Sequence, residues 1–247
     1  MKKIIVEICC GSADDVIQSK LAGADRVELN SGMFLGGLTP TIGQLIIAKR
    51  TGLPVLTMVR PREGGFDYTE AEYETMLLDA VELKRAGADG IVFGFLNSDG
   101  TVNEKRCAEM MKVIGDKESV FHRAIDVVPD RKAALDILIK LGVTRVLTSG
   151  QEPSALYGAG VIREMIEYAA GRIEILPGGG IRPGNAAELV EKTGVDQIHA
   201  AISKNMVDNS TVGNPDIFFG GALYPPEDKY KIADAGKIEA LINSVSR

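Results

Sequence analysis

Strand-like and helix-like segments alternate eight times along this chain of 247 residues. The strand-like segments are short, apolar and β-branched, which is typical of strands buried on both faces. Strands that alternate with helices favour a parallel sheet with right-handed crossovers. The predicted strands are 4–9, 26–29, 54–60, 90–93, 119–122, 145–148, 173–176 and 197–199, and the predicted helices are 13–21, 41–50, 70–86, 102–114, 131–141, 156–170, 185–192 and 231–246.

One short pattern recurs before every second predicted strand. It begins at Gly23, Gly87, Gly142 and Gly194, and each glycine is followed by an apolar residue and then by Asp or Thr. Each glycine suits a left-handed helix C-cap that leads into the next strand. A repeat of about two strand–helix units favours a closed (β/α)8 barrel over a doubly wound open sheet, which is the main alternative. The chain length also fits a barrel of about 250 residues.

We therefore predict a single α/β domain, a (β/α)8 TIM barrel over residues 1–247. Residues 205–228 differ from the rest, because they are rich in Asn, Asp, Gly and Pro. They predict a long loop before the C-terminal helix. Loops of that length are either lid-like or mobile, and the sequence leaves both alternatives open.

Charge and cysteine content restrict the partners and the compartment. The formal net charge of −6 argues against nucleic acid and anionic membranes as partners, since both need clustered Lys and Arg. No apolar run approaches the roughly 18 residues of a membrane span. Three cysteines, two of them adjacent, do not form the pattern of a disulfide framework. We expect a reducing, cytoplasmic setting.

Polar residues collect at the predicted carboxyl ends of the strands, the face that carries function in such barrels. Side chains alternate along a strand, so Glu7 should face inward with Cys9, and Glu28 should face inward with Arg26 and Asn30. Two such carboxylates on neighbouring strands can divide acid and base roles. An internal ion-pair network is the other interpretation. The candidate catalytic residues are Glu7, Glu28, His122, His199 and Asp126.

Cationic and glycine-rich segments at the same strand ends predict an anion site. Arg60 and Arg62 flank Pro61, which favours an extended turn and a rigid pair of guanidinium groups, although structural salt bridges are the alternative. Three glycines follow the seventh strand, where backbone N–H groups often hold phosphate in barrels. The candidate anion-binding residues are Arg60, Arg62, Arg123, Ser149, Gly178, Gly179 and Gly180.

The adjacent thiols of Cys9 and Cys10 raise the question of copper(I), which prefers soft thiolate ligands. Adjacent side chains on a strand point to opposite faces, so one site cannot easily use both thiols. The two histidines could join Glu7 or Glu28 at a metal, but no close ligand spacing is present. Cys107 lies on a predicted helix and is interpreted as a small core residue.

Several of these motifs together resemble the CutC family, traditionally described as copper homeostasis proteins. The matching stretches begin at Glu7, Gly23, Gly36, Arg60, Phe121, Leu147, Pro177 and Ile198 and occur in the family's order. The resemblance implies a cytoplasmic TIM barrel that self-associates, usually as a dimer. It also implies copper ligands at a first-strand cysteine, here Cys9 or Cys10, and directly after Glu-Leu of the second strand, where this chain has Asn30.

Two hypotheses about function follow. The first is a cytoplasmic protein of copper homeostasis that binds copper(I), for which Cys9 and Cys10 are the candidate metal ligands. The second is an enzyme with isomerase or lyase type acid–base chemistry on a small anionic, hydroxylated substrate bound in the barrel mouth. No organic cofactor is predicted. Copper retention would favour the first hypothesis, and stabilisation by sugar phosphates or carboxylates would favour the second.

Overall fold

The computed structural model describes residues 3–220 and 226–246. Its main sheet has eight parallel strands in the order β7-β6-β5-β4-β3-β2-β1-β8. A single bridge between Gly178 and His199 links the end of β7 to β8 and brings the sheet edges together. The strands are β1 Ile5–Cys10, β2 Arg26–Leu29, β3 Val55–Met58, β4 Gly90–Phe93, β5 Glu118–Phe121, β6 Arg145–Thr148, β7 Glu174–Pro177 and β8 Gln197–Ala200.

Helices follow the strands and surround the sheet, which confirms the predicted TIM barrel. Thr41 and Thr69 begin α2 and α3 with capping boxes, each closed by the side chain three residues later. Within the described residues, no helix combines the length and apolar character needed to cross a membrane. The helices are α1 Ala13–Leu21, α2 Ile42–Lys49, α3 Glu70–Arg85, α4 Glu104–Ile114, α5 Arg131–Lys140, α6 Ala159–Ala169, α7 Ala186–Thr193 and α8 Ala235–Val245.

The repeated glycine pattern has a structural role in joining strand pairs. All four of its glycines have positive φ angles, as a left-handed C-cap requires. Two positions later, Asp25 accepts a hydrogen bond from the N–H of Val6 at 2.9 Å, and Asp89 accepts one from the N–H of Val55 at 2.7 Å. Thr144 does the same for Ser119 at 3.2 Å. In these three cases the repeat ties an even strand to the start of the preceding odd strand.

Side-chain alternation separates two apolar layers. Val6, Ile8 and Cys10 of β1 are fully buried in the large core between strands and helices, as predicted. A second, smaller core fills the inside of the barrel and consists of Leu56, Met58, Val92, Val120, Leu147 and Leu176. Each such side chain stabilises the fold by about 1.5–3 kcal/mol when fully buried. This inner layer forms an apolar floor for the mouth above it.

The chain after β8 corrects the prediction for the C-terminal region. Residues 203–207 (β9, Ser203–Val207) pair antiparallel with β10, Lys229–Ala233. The predicted helix start at 231 is therefore wrong, and α8 begins after the N-cap Asp234. All of β9 is exposed, so its sequence carries no alternation of buried and exposed residues. The Ala233 N–H donates to Asp15 at 2.6 Å, which ties this ribbon to α1. Part of the predicted loop, 221–225, lies outside the described residues.

Candidate functional site

The carboxyl ends of the strands surround a cavity of about 370 Å³. This is the mouth of the barrel, and its size falls at the lower end of small-molecule sites, about 300–1,000 Å³. Its apolar wall includes Met58, Phe66 and Leu147. Its polar wall includes Glu28, Asn30, Arg60, His122, Arg123 and His199. The expected functional face is thus a real concavity rather than a filled end.

Three potential metal ligands meet at one side of this mouth. Ligand atoms of Cys9, Glu28 and His199 lie within 4.8 Å of one another. Strand register explains the meeting, because Cys9 lies beside Glu28 in the β1–β2 pair and His199 comes from β8 on the other side of β1. Asn30 donates to Glu28 Oε1 at 2.9 Å and to Cys9 Sγ at 3.4 Å. The amide therefore orients both groups.

The three cysteines have different surroundings. Cys9 lines the mouth, whereas Cys10 faces the helices and lies 3.5 Å from the Ser19 hydroxyl. Cys107 is fully buried on α4, as its interpretation as a core residue requires. Burial, together with the nearby Glu28 carboxylate, raises the pKa of the Cys9 thiol to about 12. Cys9 alone of the adjacent pair is placed to contact a ligand in the mouth.

His199 is held by a buried ion pair beneath the mouth. Its Nδ1 lies 2.7 Å from Glu7 Oε1, and Arg26 donates to the other oxygen of Glu7. Burial opposes the charge on Glu7, but Arg26 and then His199 lower its pKa to about 2. Burial also opposes the imidazolium of His199, yet Glu28, Cys9 and Glu7 raise its pKa well above the usual value. Nδ1 is occupied, so Nε2 is the ring nitrogen available to a ligand.

A polar network continues below Glu7 through the first residues of several strands. Arg26 donates to Gln197 at 3.0 Å, and Gln197 donates to Glu174 at 3.0 Å. Arg145 then bridges Glu174 at 2.7 Å and Glu118 at 2.9 Å. Glu7 belongs to this network and does not line the mouth. The structure thus brings Glu28 and Arg60 to the mouth but places Glu7 one layer deeper, where it reaches the mouth through His199.

Glu28 is a buried carboxyl with an unusual environment. Burial, with a smaller contribution from Glu7, raises its pKa, while His199 and Asn30 act in the opposite direction. Its Oε2 atom is buried without a hydrogen-bond partner. An unpartnered buried carboxyl oxygen is costly unless something else satisfies it. Glu28 is accordingly placed to contact a bound ion or ligand.

His122 is a neutral hydrogen-bond donor on the opposite side of the mouth. Its Nδ1 accepts the N–H of Ala124 at 3.1 Å, so the ring proton is on Nε2. Burial and the nearby Arg60 guanidinium lower its pKa to about 3. The ring packs against Phe66, with centroids 4.7 Å apart, and against Gly94, where any Cβ would collide with it. Nε2 has no partner and is buried.

The two arginines of the Arg60-Pro-Arg62 motif point to different places. Arg60 lines the mouth and donates to the carbonyls of Leu35, Gly37 and Gly64 at 2.8–3.1 Å. Arg62 lies outside the mouth and forms an ion pair with Glu72 at 2.6 Å. The expected rigid pair of cations is therefore not formed, because the α3 N-terminus offers Arg62 a carboxylate. Of these two arginines, only Arg60 contributes its charge to the mouth.

Asp126 is an anchor for the loops after β5 and β6. It accepts hydrogen bonds from Thr148 Oγ1 at 2.5 Å and from the Ser149 N–H at 3.0 Å, and it pairs with Arg123 at 2.7 Å. Ser149 is fully buried, and its hydroxyl donates to the Glu152 carbonyl at 2.6 Å. Neither Asp126 nor Ser149 lines the mouth. Arg123 does, and Asp126 holds it there.

The glycines after β7 divide in a similar way. The Gly178 N–H donates to the Thr148 carbonyl at 2.8 Å, and the residue takes part in barrel closure. Gly179 and Gly180 line the mouth. Sequence reasoning missed two further residues: Arg182, which lines the mouth just after these glycines, and Met33, whose Sδ lies 4.0 Å from Cys9 Sγ. Arg182 could have been found from its place after a barrel strand, but no pattern marks Met33.

Comparison with known proteins agrees with this architecture. The profile of the CutC family matches residues 4–204. The family protein CutC of Treponema denticola is 54% identical over 99% of this chain and 100% of its own length. The human copper homeostasis protein cutC homolog is 38% identical over 98% of this chain and 89% of its own length. The crystal structure of CutC from Streptococcus agalactiae superposes with a TM-score of 0.76 at 32% identity, covering 79% of this chain and 97% of that one.

Fold and site together define a TIM-barrel protein with a polar mouth and one thiol, carboxyl and imidazole cluster at the strand ends. The chain belongs to the CutC family. The resemblance seen in its motifs is therefore confirmed. The aldolase QR15, at 20% identity and a TM-score of 0.58, shares the fold alone. The comparisons favour the copper-homeostasis hypothesis over the enzyme hypothesis, since the curated human and mouse relatives are named as copper homeostasis proteins.

Proposed function

We propose that this protein acts in copper homeostasis by binding copper(I) in the barrel mouth. The observation that carries the proposal is the cluster of Cys9, Glu28 and His199, whose ligand atoms lie within 4.8 Å of one another. Thiolate and imidazole are ligands that suit copper. The names of the human and mouse relatives support the same function.

The donor chemistry of the cluster fits a soft cation. Cys9 supplies the thiolate, and His199 supplies Nε2 while its Nδ1 is held by Glu7 at 2.7 Å. Histidines that bind metals usually have their second nitrogen held by a carboxylate in this way. Met33 adds a thioether 4.0 Å from Cys9 Sγ. These groups compensate for Asn30, which occupies the position where the family resemblance implies a second ligand.

Replacement of Cys9 by Ser is expected to weaken copper(I) binding at least about 100-fold, because the only thiol in the mouth is lost. The measurement is a competition titration against a chromophoric copper(I) chelator under anaerobic conditions. Cys107→Ser is the matched control, since Cys107 is buried on α4 away from the mouth and should leave the affinity unchanged.

Two results would contradict the copper proposal. One is a wild-type protein that releases copper at micromolar free metal. The other is a Cys9→Ser variant that competes as well as the wild type does. Cys9, whose pKa is about 12, and His199, whose pKa is raised well above its usual value, must each give up a proton to bind the metal, so the apparent affinity should also rise with pH.

We infer that the protein forms a homodimer through the exposed apolar face of α2. Ile42, Ile46 and Ile47 are each more than 40% exposed on this short helix, and Phe34 and Leu35 are exposed in the preceding loop. Exposed apolar residues clustered in this way are typical of interaction surfaces. A second copy is the proposed partner, because a two-fold axis lets one apolar patch cover its own equivalent.

Ile46→Glu is expected to shift the protein from dimer to monomer, because it would bury like charges beside each other at a two-fold interface. Size-exclusion chromatography with light scattering gives the mass directly. Leu21→Glu on α1 is the control, since Leu21 is 73% exposed and should leave the mass unchanged. A wild-type protein with the mass of a monomer would refute the inference.

The proposal also includes a cellular location and a small anionic ligand in the mouth. Cys9, Cys10 and Cys107 are all free thiols, which supports a reducing cytoplasmic location. The cations Arg60 and Arg123 and the glycines after β7 support a small anionic ligand beside the metal cluster.

A further inference from the structure

Two guanidinium groups at the mouth have no carboxylate partner among the described residues. Arg60 is 7% exposed and donates only to backbone carbonyls. Arg182 is exposed and donates only to the Ile181 carbonyl, at 2.6 Å. For Arg60, the buried cation of the two, the lack of a counter-charge is costly, and carbonyl dipoles offset only part of that cost. The mouth therefore carries positive charge that an anion would neutralise.

Two glycines with positive φ angles, Gly179 and Gly180, line the mouth near Arg182. Gly179 has a φ of 110°, and a Cβ there would lie 3.2 Å from the Ser149 side chain and 3.7 Å from the Arg123 guanidinium. The lack of a side chain keeps this strand end open. Arg123, Arg182 and the two glycines thus border one part of the cavity.

Neutral polar atoms without partners lie elsewhere on the wall. His122 is 4% exposed, and its Nε2 carries a proton with no acceptor. Asn30 is 1% exposed, and its Oδ1 has no donor. Buried polar atoms are nearly always satisfied in proteins, so these two imply a partner that enters the cavity. The partner must accept one hydrogen bond and donate another.

We propose that the mouth binds a small hydroxylated oxyanion of sugar-phosphate size, with its charged end at Arg182 and the glycines after β7 and its oxygen functions at His122 and Asn30. This inference rests on the anionic ligand proposed above and specifies its chemistry. A carbonyl or hydroxyl oxygen accepts from His122 Nε2, and a hydroxyl group donates to Asn30 Oδ1. Phosphate and carboxylate share the chemistry of the charged end. A cavity of about 370 Å³ fits such a molecule.

Isothermal titration calorimetry of the metal-free protein with four probes tests the proposed anion site. Glycerol 3-phosphate and glycerate compare phosphate with carboxylate, dihydroxyacetone phosphate adds a carbonyl, and dihydroxyacetone lacks the charge. At least one anionic probe should bind saturably with a submillimolar Kd, and dihydroxyacetone should bind at least about tenfold more weakly than its phosphate.

Arg182→Ala should weaken binding of the best anionic probe about tenfold, because a charge-assisted hydrogen bond is lost. Arg163→Ala is the matched control, since Arg163 is exposed and paired with Glu167 on α6. His122→Phe should weaken the binding of dihydroxyacetone phosphate more than the binding of inorganic phosphate. Should that variant misfold, the ¹⁵N resonance of His122 Nε2 in the wild type gives the same answer, because ligand binding should shift it.

Three results would overturn the inference: no saturable binding of any anionic probe at millimolar concentration, equal binding by Arg182→Ala, or an unshifted His122 Nε2 resonance at saturation. None of them bears on copper. A copper(I) titration of Arg182→Ala should match the wild type, because Arg182 is not part of the Cys9, Glu28 and His199 cluster. Failure of the anion site and failure of the copper site are therefore distinguishable.

Discussion

Glu7→Gln is expected to lower the free energy of unfolding by about 3–5 kcal/mol. Glu7 is 1% exposed, and its two oxygens pair with Arg26 and His199. An amide keeps the shape of the side chain but leaves the buried guanidinium without its counter-charge. Breaking one partner of a buried ion pair is costly because the remaining charge stays desolvated. Urea denaturation monitored by circular dichroism gives the difference.

A matched control and a double variant sharpen this prediction. Glu118→Gln removes a carboxylate from the same network, but Glu118 is partly exposed and Arg145 keeps Glu174, so we expect a loss below about 1 kcal/mol. Glu7→Leu with Arg26→Met should be more stable than Glu7→Gln, since no unpaired guanidinium remains. Equal stability of Glu7→Gln and the wild type would show that the pair does not stabilise the barrel.

The loss of wild-type stability at acid pH should depend on the same carboxylate. The pKa of Glu7 falls from 4.5 to about 2 on folding, a difference that corresponds to about 3 kcal/mol. A lowered folded-state pKa stabilises the protein fully above the unfolded value, and this stabilisation is lost as the pH falls from about 4.5 to about 2. Urea midpoints of the metal-free protein should therefore fall more steeply with acid in the wild type than in Glu7→Gln.

Asp126→Ala is expected to destabilise the protein by about 3 kcal/mol, through the loops after β5 and β6 rather than through the barrel interior. The carboxylate accepts from Thr148 Oγ1 and from the N–H groups of Ser149 and Gln151, and it holds Arg123. Alanine would leave buried donors without acceptors. Thermal unfolding of the variant against the wild type measures the loss.

Asp130→Ala provides the comparison for Asp126. Asp130 accepts two N–H groups at the start of α5 but is exposed, so its loss should cost about 1 kcal/mol, as for an ordinary N-cap. If Asp126→Ala and Asp130→Ala were equally stable, the Asp126 network would stabilise the protein no more than an ordinary helix N-cap does. The stability of Asp126→Asn, which keeps one acceptor oxygen, should lie between the stabilities of these two variants.

The elements that the sequence predicts correctly are those that depend on residues close to one another along the chain. The predicted bounds of α1, β2, β4 and β6 match the structure, because caps and short apolar runs are read from neighbouring residues. The opposite orientation of Cys9 and Cys10 is predictable for the same reason, because successive side chains of a strand point to opposite faces of the sheet. The proposed roles of the candidate catalytic and anion-binding residues remain predictions.

Other features depended on partners that are distant in sequence. The ribbon of β9 and β10 joins residues on either side of the 208–228 segment, and its exposed side chains carry no periodic signal. Arg60 and Arg62 are equivalent in the sequence, yet Glu72 of α3 draws Arg62 away from the mouth. The position of Arg182 after a barrel strand is visible in the sequence, but only the structure shows that it lines the cavity without a carboxylate partner among the described residues.

The strand ends were the first functional prediction, and local residue patterns determined them: the alternating elements, the four glycine C-caps and the inward set on each strand. Only the tertiary structure decided which inward residues meet. Pairing of β8 with β1 closes the barrel, and it brings His199 beside Cys9 and Glu28 although it lies far from both of them in the sequence. The same closure places Glu7 beneath the mouth, because the strand register, which depends on all eight strands together, decides the layer in which each side chain lies.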